Sequence, residues 1–165
     1  MDALRVLGHL FTDHWSVRKR FPPRTMRAIE RAIGEQEQRH DGELRFAVEG
    51  SLPFWELVRG VSARHRALEL FSQLRIWDTE RNCGVLIYLL LADKRVEIVA
   101  DRGIHKQVGE AAWEAICGAM QREFAAGRFE QGVITGVQAV SDLLATHFPP
   151  RDGKPDELPN KPIVI

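Results

Sequence analysis

The unbroken apolar run Val85-Leu86-Ile87-Tyr88-Leu89-Leu90-Leu91 sets the tightest limit on the fold. It is too short to cross a bilayer. A strand with one wet face alternates apolar and polar residues, so a continuous run predicts a central strand covered on both faces. Asp93-Lys94 then makes a short turn, and Val96, Ile98 and Ala100 alternate with other residues along a return strand. The pair, Val85 to Ala92 and Arg95 to Asp101, reads as a buried β-hairpin.

A second strand precedes it. Leu44, Phe46 and Val48 alternate with Arg45, Ala47 and Glu49 after the turn-forming His40-Asp41-Gly42, which predicts a strand with unequal faces. From Pro53, the positions Leu57, Val61, Leu68, Phe71 and Leu74 favour a crossover helix weakened at Gly60. A helical crossover between strands of one sheet implies parallel pairing, and the following hairpin makes the sheet mixed. The expected fold is therefore α/β, a three-layer α/β/α sandwich around a small mixed β-sheet that contains the hairpin.

Helical spacing accounts for the rest. Asp2 is a candidate cap for a first helix whose Leu4, Leu7, Leu10 and Phe11 form a stripe expected to pack inward. Pro22-Pro23 blocks one helix and suits the start of another, with Met26, Ile29 and Ile33 as its apolar stripe. Two more helices are predicted by Ala112, Trp113, Ile116, Met120 and Phe124, and, beyond Gly127, by Ile134, Val137, Val140 or Ser141, and Leu144. Residues 1–148 are expected to form one domain with an N-terminal helical extension. Residues 149–165, rich in proline, form an extended tail ending in Ile163-Val164-Ile165. That apolar ending needs a surface, and docking back on its own domain is favoured over a partner's sheet edge.

Lysine plus arginine equals aspartate plus glutamate at 23 each, so no global field points to nucleic acid or an anionic membrane, although local patches are compatible with this balance. Cys83 and Cys117 lie far apart and outside any CxxC pair, which fits reduced thiols rather than a disulfide framework or zinc site. Without a recognisable export signal at Met1-Asp2 or a transmembrane run, a cytoplasmic location is the expectation.

Arg66-Ala67-Leu68-Glu69-Leu70-Phe71, and the segment from Asn82 to Ile104, resemble the centre of the TPM domain family. The strongest part is the Gly84-Val85-Leu86 strand entry followed by Val96-Glu97-Ile98, and the resemblance runs from about residue 40 to 148 through Trp113, Phe124, Gly127 and Gly132. Members of that family have diverse roles, including a lumenal protein with phosphatase activity and receptor accessory proteins, and some bind calcium or another divalent ion. The resemblance therefore implies a TPM fold and a divalent-ion site without implying one reaction. Where exported members carry a Gly-aromatic-Gly turn after the return strand, this chain has Asp101-Arg102-Gly103.

Asp78 and Glu80 precede the apolar strand and Asp101 follows its antiparallel partner, so the hairpin brings these loops together. Hard cations need several oxygen ligands, which makes Asp78, Glu80 and Asp101 the candidate calcium or other divalent-cation ligands. Solvated carboxylates or ion pairs with Arg81 and Arg102 are the alternative. Arg102 and His105 are candidates for an adjoining cleft, and Arg64 and Arg66 for an anion contact, set against solvated helix faces. Trp55, Trp77 and Trp113 read first as core or edge anchors. Neither cysteine has the arginine spacing of a cysteine phosphatase, and DxD and HExxH are absent. Two functions stay open: a binding or accessory domain with an unknown protein partner, and a metal-dependent phosphatase-like hydrolase.

Overall fold

Helices occupy the chain before its first strand: α1 (Ala3–Phe11), α2 (His14–Arg20) and α3 (Pro23–Glu37). The computed structural model describes residues 3–12 and 14–165, so the proposed Asp2 cap lies outside the described residues. Pro23 starts α3, where a missing N–H costs nothing, and Ile29 and Ile33 of its stripe are buried. Strand β1 (Glu43–Glu49) follows. The crossover is two helices, α4 (Phe54–Val58) and α5 (Ala63–Gln73), rather than one. They separate where Gly60 adopts φ +72°. Leu68, expected on the buried stripe, is instead exposed, because α5 packs through Ala63, Ala67 and Leu70.

The hairpin is β2 (Gly84–Leu90) with β3 (Arg95–Ala100), antiparallel in a register that sets Val85 opposite Ala100. A short helix, α6 (Arg102–Val108), follows β3 and carries Arg102 and His105. Then α7 (Glu110–Ala125) and α8 (Phe129–His147) pack against each other, and β4 (Ile163–Val164) ends the chain. Strand order is β3-β2-β1-β4, with β1 parallel to both β2 and β4. The tail thus lies back on the sheet as its edge strand.

Two apolar cores make the sandwich. Leu44, Phe46, Val85, Ile87, Leu89 and Val96 face α3, α7 and α8, whereas Ala47, Leu86, Tyr88, Leu90 and Val99 face α4 and α5. Both faces of β2 are buried, as its unbroken apolar run requires. Strand β1 departs from the expected unequal faces, since Arg45 and Glu49 are buried too. Glu49 is held by Arg66 of α5 at 2.9 Å and by the Tyr88 hydroxyl at 2.7 Å, while Arg45 donates to the Pro159 carbonyl of the tail.

The N-terminal stripe is the other correction. Leu4, Leu7, Leu10 and Phe11 face solvent instead of packing inward. Both sheet faces are already covered, and the opposite side of α1 carries groups with polar partners. Arg5 donates to both oxygens of Asp93, in the hairpin turn, and His9 Nε2 lies 2.9 Å from the same carboxylate. Among the described residues no helix is long and apolar enough to cross a membrane.

Candidate functional site

Two surfaces, at opposite ends of the parallel strands, carry the chain's unusual groups. At the end where β1 and β2 begin, the turn before β1 and the loop before β2 are drawn together, because Glu43 N–H donates to the Cys83 carbonyl. The loop before β2 also abuts the start of α6. A Cβ on Gly103 would press on the Arg81 and Asn82 carbonyls, and one on Gly84 would strike the Ile76 carbonyl, so both positions need glycine for close approach.

Into this end the fold buries Glu37, His40, Asp41, Glu43 and Asp101. Buried charge requires partners, and the tail supplies several. Arg151 Nε lies 2.7 Å from Asp41 Oδ2, to which Arg81 also donates at 3.1 Å. Lys154 Nζ lies 3.1 Å from Glu43 Oε1 and donates to the Gly42 and His40 carbonyls at 3.0 and 3.4 Å. Leu158 N–H donates to the other Glu43 oxygen. Burial pushes the Glu37 carboxyl up to about 8 even though it accepts the Leu44 N–H at 2.8 Å. Burial, with Lys154 nearby, lowers His40 to about 4, so its imidazole is neutral. Glu37, Glu43 and Asp156 bring carboxylate oxygens within 4.8 Å of one another, and the Lys154 ammonium acts on Glu37 and Glu43.

The carboxylates whose oxygens meet there include none of the sequence-predicted ligands Asp78, Glu80 and Asp101. Asp78 pairs with Arg75 at 2.6 Å, and Glu80 with Arg151 at 3.1 Å. Asp101 caps α6 by accepting the Arg102 N–H, while its Oδ2 is buried without a hydrogen-bond partner in the protein. The hairpin does bring the Asp101 turn beside the loop before β2, through the Asp101 N–H bond to the Gly84 carbonyl. Arg102 is exposed, and His105 faces Glu110 at 3.9 Å. Arg64 donates to the Ile98 carbonyl and approaches Glu97, and Arg66 is taken up by Glu49 and Glu69, so both engage the chain's own groups. Burial pushes the Cys83 and Cys117 thiols up to about 11, which leaves both protonated at neutral pH.

Sequence reasoning missed Glu37, His40, Asp41, Glu43 and Lys154. One signal was available: Glu43, Arg45 and Glu49 project from the same face of a strand whose apolar neighbours demanded a covered sheet. Lys154 carried no signal, since one lysine in a polar tail is ordinary.

The second surface is built by α1 and α4 at the other end. His9 Nδ1 accepts the Leu52 N–H at 2.9 Å and Arg5 donates to the Val61 carbonyl at 2.7 Å, so α1 is fastened to residues on both flanks of α4. Its polar side is thereby spent on the protein. Leu7, Leu10 and Phe11 remain exposed, and so do Phe54, Trp55 and Val58 of α4. Trp113 is a core anchor as expected, but Trp55 and Trp77 are exposed rather than packed.

A match to the TPM domain covers residues 18–143. The chain is similar in structure to the BA42 protein from the psychrophilic bacterium Bizionia argentinensis, with a TM-score of 0.76 and 31% identity over 86% of this chain and 93% of that one. It also shares its fold with the N-terminal domain of a protein from P. gingivalis, at a TM-score of 0.61 and 19% identity, covering 78% of this chain and 81% of that one. The comparison with curated proteins returned no match.

Proposed function

The chain belongs to the TPM domain family, and from that premise we propose that it is a binding or accessory domain whose working surface is the apolar side of α1 beside α4. One observation carries this reading: α1 is mounted by its polar side, through Arg5 and His9, and presents Leu7, Leu10 and Phe11 outward. Displaying large apolar side chains to water is unfavourable unless something covers them, and contiguous exposed apolar area marks interaction surfaces. In fractionated cells the native chain should travel with a larger assembly or an insoluble fraction, and Leu10→Asp with Trp55→Asp should return it to monomer size. The same distribution for both proteins would reject this surface.

A second reading, a divalent-ion site serving a phosphatase-like hydrolase, is favoured by Asp101. Its buried Oδ2 has no hydrogen-bond partner in the protein, although a cation recruiting Asp78 and Glu80 as well must compete with Arg75 and Arg151 for those two carboxylates. Calcium titration followed by NMR should shift amides of residues 78–82 and 101–103 if Asp78, Glu80 and Asp101 are the ligands. Shifts confined to Glu37, Glu43 and Asp156 would move the site. Divalent-ion-dependent hydrolysis of a phosphate monoester, lost in a folded Asp101→Ala protein, would overturn the accessory reading.

A further inference from the structure

We infer that the α1–α4 face docks on an anionic lipid surface, with Leu7, Leu10, Phe11 and Trp15 entering the interface and the α2–α3 cations facing the headgroups. This rests on the reading of α1 and α4 as the working surface, and names what covers it.

The geometry begins with the helix period. At about 100° per residue, Leu7, Leu10 and Phe11 fall on one arc of α1 while Arg5 and His9 fall on the opposite side. The arc is exposed, at 50%, 69% and 78% respectively, and Trp15 on the next helix is 67% exposed. Because Arg5 and His9 are clamped on Asp93, Val61 and Leu52, α1 has no polar side left to turn outward. An apolar layer held rigidly on a folded body suits a broad, deformable apolar partner.

Charge decides between partners. The chain is neutral overall, yet the stretch from Ala3 to Ala28 holds Arg5, Arg18, Lys19, Arg20, Arg24 and Arg27 against the single carboxylate Asp13. Arg18, Lys19, Arg20, Arg24 and Arg27 are exposed, and Arg59 adds another cation beside the apolar residues of α4. Lys19 Nζ lies 5.5 Å from the Trp15 ring centre, so indole and ammonium sit together at the end of the apolar stripe. Leucine and phenylalanine on one side, tryptophan at the margin and basic residues next to it are the make-up of an interfacial helix. Headgroup attraction supplements the burial of a short stripe that would bind a neutral bilayer weakly. A protein groove would be matched by mixed charges, whereas the exposed charges of α2 and the first turns of α3 are Arg18, Lys19, Arg20, Arg24 and Arg27, all cations.

Co-sedimentation of the full chain with vesicles tests this directly. The chain should pellet with equimolar phosphatidylcholine and phosphatidylglycerol and stay in solution with phosphatidylcholine alone. Raising NaCl from about 0.05 M to about 0.5 M should weaken binding several-fold, because the headgroup contribution is screened. Leu7→Asp with Phe11→Asp, both solvent-facing and therefore compatible with the fold, should reduce partitioning by about tenfold or more. Arg18→Glu with Lys19→Glu should remove the preference for the anionic vesicles. Pelleting that neither pair of substitutions changes would overturn the inference. Failure to pellet, together with a dimer by light scattering that Leu7→Asp dissolves, would also overturn it while leaving the working surface in place. Failure to pellet by a monomer whose cellular distribution ignores Leu10→Asp with Trp55→Asp would reject both.

Discussion

The Lys154 ammonium lies 3.1 Å from a Glu43 carboxylate oxygen that has no solvent exposure, so a residue of the C-terminal tail supplies the counter-charge for the first residue of a central strand. Removing one member of a buried ion pair leaves an uncompensated charge, which is far costlier than losing both. Lys154→Met keeps the apolar stem and should destabilise the protein by about 3 kcal/mol in denaturant titration. Lys154→Met with Glu43→Gln should recover much of that loss. Equal stability of the single variant and the native chain would show that the pair contributes nothing.

The tail has a larger role than its last strand. Ending the chain after Phe148 deletes Arg151, Lys154 and β4 together, leaving Asp41 and Glu43 short of partners and uncovering Leu158 and Ile163 contacts on the β1 side. The shortened protein should melt lower and bind an apolar dye. Native stability without dye binding would mean that the tail is dispensable.

Stability should pass through a maximum between weakly acidic and neutral pH. Glu37 keeps its proton in the fold up to about 8 but has an ordinary value of 4.5, so its contribution is fully present below about 4.5 and is lost as pH rises through about 8. His40 has the opposite sign. Neutral in the fold down to about 4, against an ordinary 6.5, it contributes stability above about 6.5 that is lost as pH falls through about 4. Melting curves across this range should flatten on the alkaline side in Glu37→Gln, whose side-chain oxygen still accepts the Leu44 N–H. An unchanged alkaline slope would assign that loss to other groups.

Asp93 should control the seating of α1. Burial raises its carboxyl, but the bonds from Arg5 and His9 outweigh this and hold it below the ordinary carboxylate range. Asp93→Asn removes the charge that both residues grip. Amide exchange in residues 4–11 should accelerate several-fold while the β2 amides keep their protection. Protection lost equally in both places would make α1 part of the cooperative core.

Leu89 tests the central strand. It is 1% exposed between β1 and β3, and Leu89→Asp should cost several kcal/mol and lower the melting temperature strongly. A variant melting like the native chain would be incompatible with a buried β2.

Elements whose signal is local could be read from the residues alone. An unbroken apolar run specifies a doubly covered strand in β2, alternation specifies β3, and helical spacing with proline and glycine punctuation specifies α3, α7 and α8. The same local segment, Asn82 to Ile104, carried the TPM resemblance. Periodicity also established that α1 is amphipathic, but it is blind to which side turns inward. That was decided when α3, α7 and α8 took one sheet face and α4 and α5 the other, leaving Asp93 as the group α1 meets. Likewise, the Glu37–Glu43–Lys154 cluster joins a helix end, a strand start and a tail residue far along the chain. Hydrophobic patterning is written along neighbouring residues, whereas the pairing of buried charges depends on where distant segments end up, so only the tertiary structure assembled that cluster.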